Sequence, residues 1–380
     1  MKFTALANAF TSAVALAALA ADDKRVKTVA ALEAACLAAD GDTVKITSNI
    51  LDHALALSVP AVIEEKGELA VPVVRLAALA AGFPPKTEIT VQSDGPVARV
   101  ACGRSRFRLP TIPIDDLPAV PTIIEMTGGI TLAREEALAL FSRPFFAASN
   151  EQTQFYLCGI LLHDIDDDLV AVATDGHRLA RVTLAGATGL SSDRTLIIPN
   201  SAIKVLLRLL ADKNNECITL ARSRTLLAVE GSSFRFVSKL IDSTYPSYER
   251  LIPRPSGNAV TIDRVELAQA LDRIAAVIDP AVKAMRLVGL QWALDEPALR
   301  LCIPGHDLAD DILDAEVAGT GKVALQILHL AEIAAEIEGK CIHIDTNGNV
   351  GPVVITDPDD PDVLILQMPC AWPFENATAA

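Results

Sequence analysis

Three stretches of this chain run through the same order of elements, at a spacing of about 125–130 residues, and an internal repeat of that size restricts the fold sharply. Each copy opens with a short strand and an amphipathic helix, at 3–19, 130–146 and 260–277. Period-2 strands follow, for example 43–47, 159–162 and 298–303. A second helix comes next, at 72–81, 199–210 and 324–337, entered in the first two copies from a proline. Alternating strands close each copy: 88–91 with 98–102, 217–220 with 226–229, and 341–344 with 353–355. A unit this long is a domain rather than a solenoid repeat. The pattern predicts three copies of one α+β domain, 1–121, 122–253 and 254–380, with joints at the proline-rich runs 110–121 (PTIPIDDLPAVP) and 253–257.

Local signals support the helices. Leu6, Phe10, Val14 and Ala17 recur at helical spacing in the first copy. Thr131 is the expected N-cap in the second, with Glu135 and Glu136 in the first turn, and Asp263 caps a helix carrying Val265, Leu267, Leu271 and Ile274 in the third. The opening MKFTALANAFTSAVALAALAADDK imitates a signal peptide, with one lysine, an apolar run and small residues. The repeat claims those residues for the first strand and helix, because losing them would strip the first domain of half its helical layer.

Composition narrows the function classes. A net charge of -15 excludes a surface that is basic throughout, although a local basic stripe remains compatible with it. Half the residues are hydrophobic, which excludes global disorder, and no run of about 18 apolar residues predicts a membrane span. Seven dispersed cysteines without a CxxC pair read as reduced, cytoplasmic and mostly buried thiols, with no disulfide framework and no metal site.

One segment concentrates chemistry: Thr174-Asp175-Gly176-His177-Arg178, between two alternating strands. A general base His177 oriented by Asp175, a binding corner and a plain hairpin are all compatible with it. No GxSxG, HExxH or glycine-rich phosphate loop completes an active site. Ser201-Ala-Ile-Lys204 has an acylating-enzyme spacing without its companion motifs, and the other histidines lack ligand spacing. The run 164–168 (DIDDD) reads as a solvated hairpin turn. The run 345–349 (DTNGN) lacks the acidic twelfth residue of a calcium loop, because Thr356 stands there. Basic residues gather on and after helices: Arg75 and Lys86; Lys204, Arg208 and Lys213; Lys24, Arg25 and Lys27. They fit a sequence-independent phosphate track or ordinary enrichment near helix C-termini, and Glu332, Glu336 and Glu338 break the pattern in the third copy.

With these landmarks in place the chain resembles the β sliding clamp family, the β subunit of bacterial DNA polymerase III. The matching residues are collinear: MKFT at 1–4, GRSRF at 103–107, ATDGHRLA at 173–180, SKLIDSTYPSYERLIP at 238–253, and Met368-Pro369. The resemblance implies three clamp domains per subunit, each with two helices on antiparallel sheets, and a head-to-tail homodimeric ring around duplex DNA. Such a ring tethers a polymerase without chemistry or cofactor, in the cytoplasm and away from membranes. Its partners would be double-stranded DNA, the polymerase, the clamp loader and other clients carrying short clamp-binding peptides. A clamp-like peptide-docking hub without a replicative role is the alternative.

The same resemblance implies site residues. The client cleft, between the second and third domains, would use Leu157, Thr174, Gly176, His177, Arg178, Leu179, Pro246, Arg250, Leu251, Met285, Leu366, Met368 and Pro369. His177 and Arg178 would bond peptide carbonyls or carboxylates. DNA contacts would fall on Arg25, Gln154, Phe155, Tyr156 and Arg286, with Gln154 and Asn200-Ser201 standing where the family is usually basic. The subunit interface would join Arg104, Arg106, Phe107 and Leu109 to Val277, Ile278, Asp307, Asp310 and Asp311 of the other subunit. The chain departs from the family after Pro369, where Cys370-Ala-Trp372 replaces the usual Met-Arg-Leu end.

Overall fold

The computed structural model describes residues 1–21, 29–119, 127–187, 189, 196–278, 286–348 and 351–372. They form two compact units, Met1–Leu138 with Ala187–Asp242, and Ala139–Gly186 with Ser243–Ala380. Six helices are described: α1 (Ala7–Ala21), α2 (Val73–Ala80), α3 (Arg134–Ser142), α4 (Asn200–Leu210), α5 (Arg264–Ala276) and α6 (Ile327–Glu336). Each follows directly on a strand without a loop: Lys2–Leu6, Gly67–Pro72, Thr127–Ala133, Leu196–Pro199, Ala259–Asp263 and Gly321–Gln326. Helices α2, α4 and α6 begin at 73, 200 and 327, two equal steps of 127 residues. The repeat seen in sequence is thus a repeat of strand-to-helix transitions.

In the first unit a twelve-stranded antiparallel sheet runs Ser105–Pro110, Val97–Cys102, Glu88–Asp94, Lys2–Leu6, His53–Glu65, Phe234–Lys239, Leu226–Glu230, Cys217–Arg222, Thr127–Ala133, with Ala34–Asp40, Thr43–Asn49 and Gly67–Pro72 branching off this path. Its hinge is the long strand His53–Glu65, whose 61–65 end pairs with Lys2–Ala5 and whose 53–57 end pairs with Phe234–Ser238. In the second unit the strands run Gly159–Ile165, Asp168–Thr174, Arg178–Leu184, Asp360–Gln367, Val353–Asp357, Cys341–Asp345, Ala259–Asp263, Asp310–Ala318, Glu296–Cys302, Leu287–Ala293, Gly321–Gln326. There Arg178–Val182 pairs with Val363–Gln367, which zips residues of the second copy to those of the third.

The helices bury one stripe against these sheets. α1 buries Phe10, Val14 and Ala17, with the Phe10 ring 5.9 Å from that of the fully buried Phe3. α4 buries Ile203, Leu206 and Leu210, and α6 buries Ile327, Leu330 and Ile333. Each of these side chains other than Ala17 contributes about 1.5–3 kcal/mol of transfer free energy. Asp263 caps α5 as expected, its Oδ1 accepting the N–H groups of Val265 (2.9 Å) and Glu266 (3.1 Å). Asp166 and Asp167 form the expected hairpin turn, both at positive φ (48° and 71°), a conformation aspartate tolerates.

Some expectations need correction. Thr131 is no N-cap: it lies in strand Thr127–Ala133, facing Thr219 across the ladder, and α3 starts three residues later. Glu136 takes over, its Oε2 accepting the Ala133 N–H at 2.7 Å. α3 stops at Ser142, and a separate 3-10 turn holds Phe145–Ala147. Leu6 ends a strand and is exposed, and 324–326 belong to the strand before α6. The seven cysteines are all free, yet only Cys102 is buried; Cys217 is exposed and the others lie between. Among the described residues no helix is long and apolar enough to cross a membrane, and no cluster could hold a metal ion.

Candidate functional site

The TDGHR segment is the sharp turn between strands Asp168–Thr174 and Arg178–Leu184, with Thr174 opposite Leu179. Gly176 sits at φ +87°, where a side chain would strain the backbone. The Thr174 hydroxyl accepts the Gly176 N–H and donates to the Arg178 carbonyl at 2.6 Å. Asp175 Oδ1 accepts the N–H groups of His177 and Arg178, both at 2.9 Å, while Oδ2 accepts Arg178 Nε at 3.2 Å. The Asp175 carboxylate is therefore spent on the turn and on Arg178. It does not orient the His177 ring, and the acid–base reading has no geometric basis here.

Arg178 staples the corner. Its side chain is 10% exposed and ion-paired with both Asp175 and Glu332 of α6. It also donates to the Phe146 carbonyl at 3.0 Å and lies 5.1 Å over the Phe146 ring. One guanidinium thus ties the turn, α6 and the 3-10 turn Phe145–Ala147 together. Three of its five N–H donors thus have partners within the chain, which fixes where the guanidinium sits at the corner.

Next to this staple the structure assembles an apolar strip. Leu179 pairs with Leu366, Arg178 with Gln367, and the Met368 N–H donates to the His177 carbonyl at 2.8 Å. Leu179 and Leu366 are buried, whereas Met368, Gly176 and His177 are exposed and Pro369 is half-buried. The segment that follows strand Phe234–Lys239 is anchored by two buried tyrosines. Tyr245 lies against Thr174 and Asp175, and burial holds its phenol far above the usual range. Tyr248 meets His163 Nε2 at 3.0 Å, and burial pushes it up to about 12. Pro246 follows Tyr245, and Arg250 and Leu251, in the 3-10 turn Glu249–Leu251, are exposed. Leu157 is buried at the end of the 3-10 turn Gln152–Leu157. Met285 lies outside the described residues.

Sequence reading missed His329, Glu332 and Phe146. The His329 ring stands 6.1 Å from that of His177, and burial, then the nearby Arg178 charge, hold it below the ordinary histidine value. No local motif marks these residues, which join the turn across up to about 150 positions of chain. The chain end also departs: Cys370 N–H donates to the Ala324 carbonyl at 2.8 Å, and the Trp372 ring stacks 4.4 Å from Lys322 Nζ. Gly289 lies beneath that ring, where a Cβ would come within 2.5 Å of it, so glycine is required for the close approach.

Of the expected DNA contacts, Gln154 and Phe155 are exposed, with Tyr156 half-buried and its ring edge-on to Phe155 at 5.9 Å. Arg286 is exposed at the start of strand Leu287–Ala293, and Arg25 lies outside the described residues. Lys204 and Arg208 project from the exposed face of α4, and Arg208 shares a groove with Asn8, Ser12 and Leu16 of α1. At the expected interface, Arg104, Arg106 and Phe107 are exposed and Leu109 half-buried on an edge strand. Val277 is exposed and Ile278 half-buried after α5, and Asp307 is exposed. Asp310 and Asp311 already carry partners: Arg300 on Asp310 through two 2.7 Å hydrogen bonds, and Arg273 on Asp311 at 2.7–2.9 Å. Arg300 holds the Asp310 carboxyl below the usual range. Ile312, exposed between these acids and the rest of its strand, was not expected.

Strand-to-helix repeats at a constant step, with helices on antiparallel sheets, define the α+β DNA-clamp fold. The model of the DNA polymerase III beta subunit N-terminal domain matches residues 1–121, and that of its central domain matches 131–247. The beta sliding clamp of Caulobacter vibrioides (strain NA1000 / CB15N) is 26% identical over 355 residues, covering 91% of this chain and 94% of that protein. That of Pseudomonas aeruginosa PAO1 is 28% identical over 352 residues, with the same coverage. Among solved structures, the Bartonella birtlesii DnaN sliding clamp bound to griselimycin matches with TM-score 0.89 at 26% identity, covering 98% of this chain and 99% of that one. A Pseudomonas aeruginosa sliding clamp matches at 0.87 and 25%, with 98% and 99% covered. The chain belongs to the DNA polymerase III beta subunit family, the bacterial sliding clamps.

Proposed function

We propose that this chain is a processivity clamp: three clamp domains, 1–121, 122–253 and 254–380, closing with a second copy into a head-to-tail ring around duplex DNA. The ring works in the cytoplasm without a catalytic step of its own. The observation that carries the client-binding half of this reading is the corner at Thr174–Leu179. Buried Leu179 and Leu366 back the corner, and exposed Met368 lies against it, its N–H on the His177 carbonyl. An extended peptide is gripped by an exposed apolar side chain such as Met368 and, at its main chain, by a polar rim such as His177.

In this reading Arg178 positions the corner, and His177, with His329 beside it, meets the client. DNA passes exposed Phe155 with half-buried Tyr156 beside it and the cations Lys204 and Arg208 of α4, with Arg25 and Arg286 adding charge. These contacts are sequence-independent because they reach phosphate, and topology keeps the ring on DNA even where Gln154 and Asn200-Ser201 supply no charge.

The test is a loading assay on primed circular DNA with a clamp loader and the replicative polymerase. Products several times longer with this chain than without it are expected. Unchanged product length, with client peptides still binding, would sink the replicative role and leave the peptide-docking hub. Arg178→Ala should weaken a client peptide by about tenfold or more and lower stability by about 2 kcal/mol, because it leaves the part-buried Asp175 carboxylate without its ion pair. His177→Ala should weaken the peptide while leaving the melting temperature unchanged.

A further inference from the structure

Resting on the reading of the corner as a client site, we propose that His177 and His329 form a seat of two neutral imidazoles, which takes an uncharged side chain of the client peptide and releases it when either ring is protonated. The rings come from different copies, His177 from the turn after strand Asp168–Thr174 and His329 from the start of α6. Their centroids lie 6.1 Å apart with planes tilted by 39°, a spacing at which one side chain touches both. His177 is exposed and His329 half-buried. Exposed Met368 stands beside them, its N–H on the His177 carbonyl at 2.8 Å, and offers apolar contact to the same occupant.

The carboxylates around the pair are committed to Arg178. The charges that act on His329 are Arg178, Asp175 and His177 from the turn and Glu332 from its own helix. Asp175 places Oδ1 on the N–H groups of His177 and Arg178 and Oδ2 on Arg178 Nε, while Glu332 is ion-paired with the same guanidinium. Glu336, about two turns further along α6, acts on Glu332 and Arg178 rather than on the imidazole. Helix α5 and strands Gly321–Gln326 and Asp360–Gln367 also pack on α6, and among the described residues they bring no charge to this ring. A proton on His329 therefore sets a half-buried cation beside Arg178. Burial, then Arg178, already hold His329 below the ordinary histidine value.

A client side chain laid over the pair buries both rings further. Burial disfavours the imidazolium, so an uncharged side chain is held by neutral rings, and protons and client exclude each other. A client carboxylate would act in the opposite sense, drawing a proton onto the pair and binding more tightly in acid. The corner favours the uncharged occupant. Asp175 and Glu332 already set two negative charges around one guanidinium, and a third would be repelled.

The test titrates the full chain with a rhodamine-labelled client peptide of the replicative polymerase, its ends capped and any acidic residue replaced by the amide. Fluorescence anisotropy is read between about pH 7.5 and about pH 5.5, and an unchanged circular-dichroism signal at each pH shows that the chain remains folded. The dissociation constant should rise about tenfold from the higher pH to the lower. Calorimetry in two buffers of different ionisation enthalpy should count protons released on binding at the lower pH. His329→Gln should reduce the rise to about threefold, and His177→Gln combined with His329→Gln should remove it, whatever either does to affinity at the higher pH. A constant affinity, a tighter complex in acid, or the same pH dependence in the double variant would overturn the neutral seat and leave the client corner in place. A folded chain that binds the peptide at no pH would instead overturn the client-site reading itself.

Discussion

Helices α4 and α6 occupy the same place in successive copies, 127 residues apart, each entered directly from a strand. Their buried stripes are interchangeable in kind: Ile203, Leu206 and Leu210 in one, Ile327, Leu330 and Ile333 in the other. Their outward stripes have opposite chemistry. α4 shows Ser201, Lys204 and Arg208 to solvent, whereas α6 shows Leu328, Glu332 and Glu336 with His329 half-buried beside them. The buried face of a helix is dictated by the sheet it covers, since packing tolerates few alternatives. The open face is free to be assigned, and here one copy uses it for cations and the other to hold Arg178 at the TDGHR turn.

That comparison can be broken at several levels. The largest effect concerns the shared stripe: Leu206→Ala and Ile333→Ala, both at fully buried positions, should each cost about 3 kcal/mol in urea unfolding. A cost under about 1 kcal/mol at either site would mean that the two helices are not packed alike. A smaller effect separates the outward stripes. Lys204→Glu with Arg208→Glu should reduce the slope of log affinity against log salt for duplex DNA by about 2, and weaken binding about tenfold near physiological salt, with dimerisation unchanged. An unaltered slope would remove α4 from the DNA path.

The smallest effect is one of pH. His163 and His329 both titrate below their ordinary value of 6.5, chiefly because burial disfavours the imidazolium. The unfolded chain therefore binds more protons than the folded one as pH drops below about 6.5, and stability must fall in that window and recover above it. Thermal unfolding of the second unit should show a loss of stability between pH 7 and pH 5.5. His329→Gln should flatten that dependence, leaving the His163 share. A melting profile that does not respond to His329→Gln would place the proton uptake elsewhere.

The chain order of elements was legible because helix and strand periodicity are local, and the constant 127-residue step repeats them three times. Asp263 as a cap and Asp166-Asp167 as a turn were legible for the same reason: each satisfies groups within a few residues of itself. Thr131 misled because a hydroxyl before an acidic first turn looks alike at the end of a strand and at the start of a helix. The difference is set by the ladder with Cys217–Arg222, some 88 residues away. The cysteines misled because composition reports how often thiols are buried, not which face of a strand each one takes.

The candidate site divides along the same line. Gly176 in the turn and the apolar partners Leu179 and Leu366 could be singled out from the sequence, in the case of Leu366 only with help from a family resemblance. That Arg178 staples the corner depended on Glu332, Phe146 and Asp175 converging on one guanidinium. In the same way the acids 310 and 311 were visible as an acidic segment, but their partners Arg300 and Arg273 were not. Sequence alone determined the threefold α+β plan and the residues available for contact, since periodicity, caps and turns act over a few bonds. Tertiary structure alone decided which of those residues remain free, because an arginine's few donors are claimed by whichever carboxylates and carbonyls the fold brings within about 3 Å.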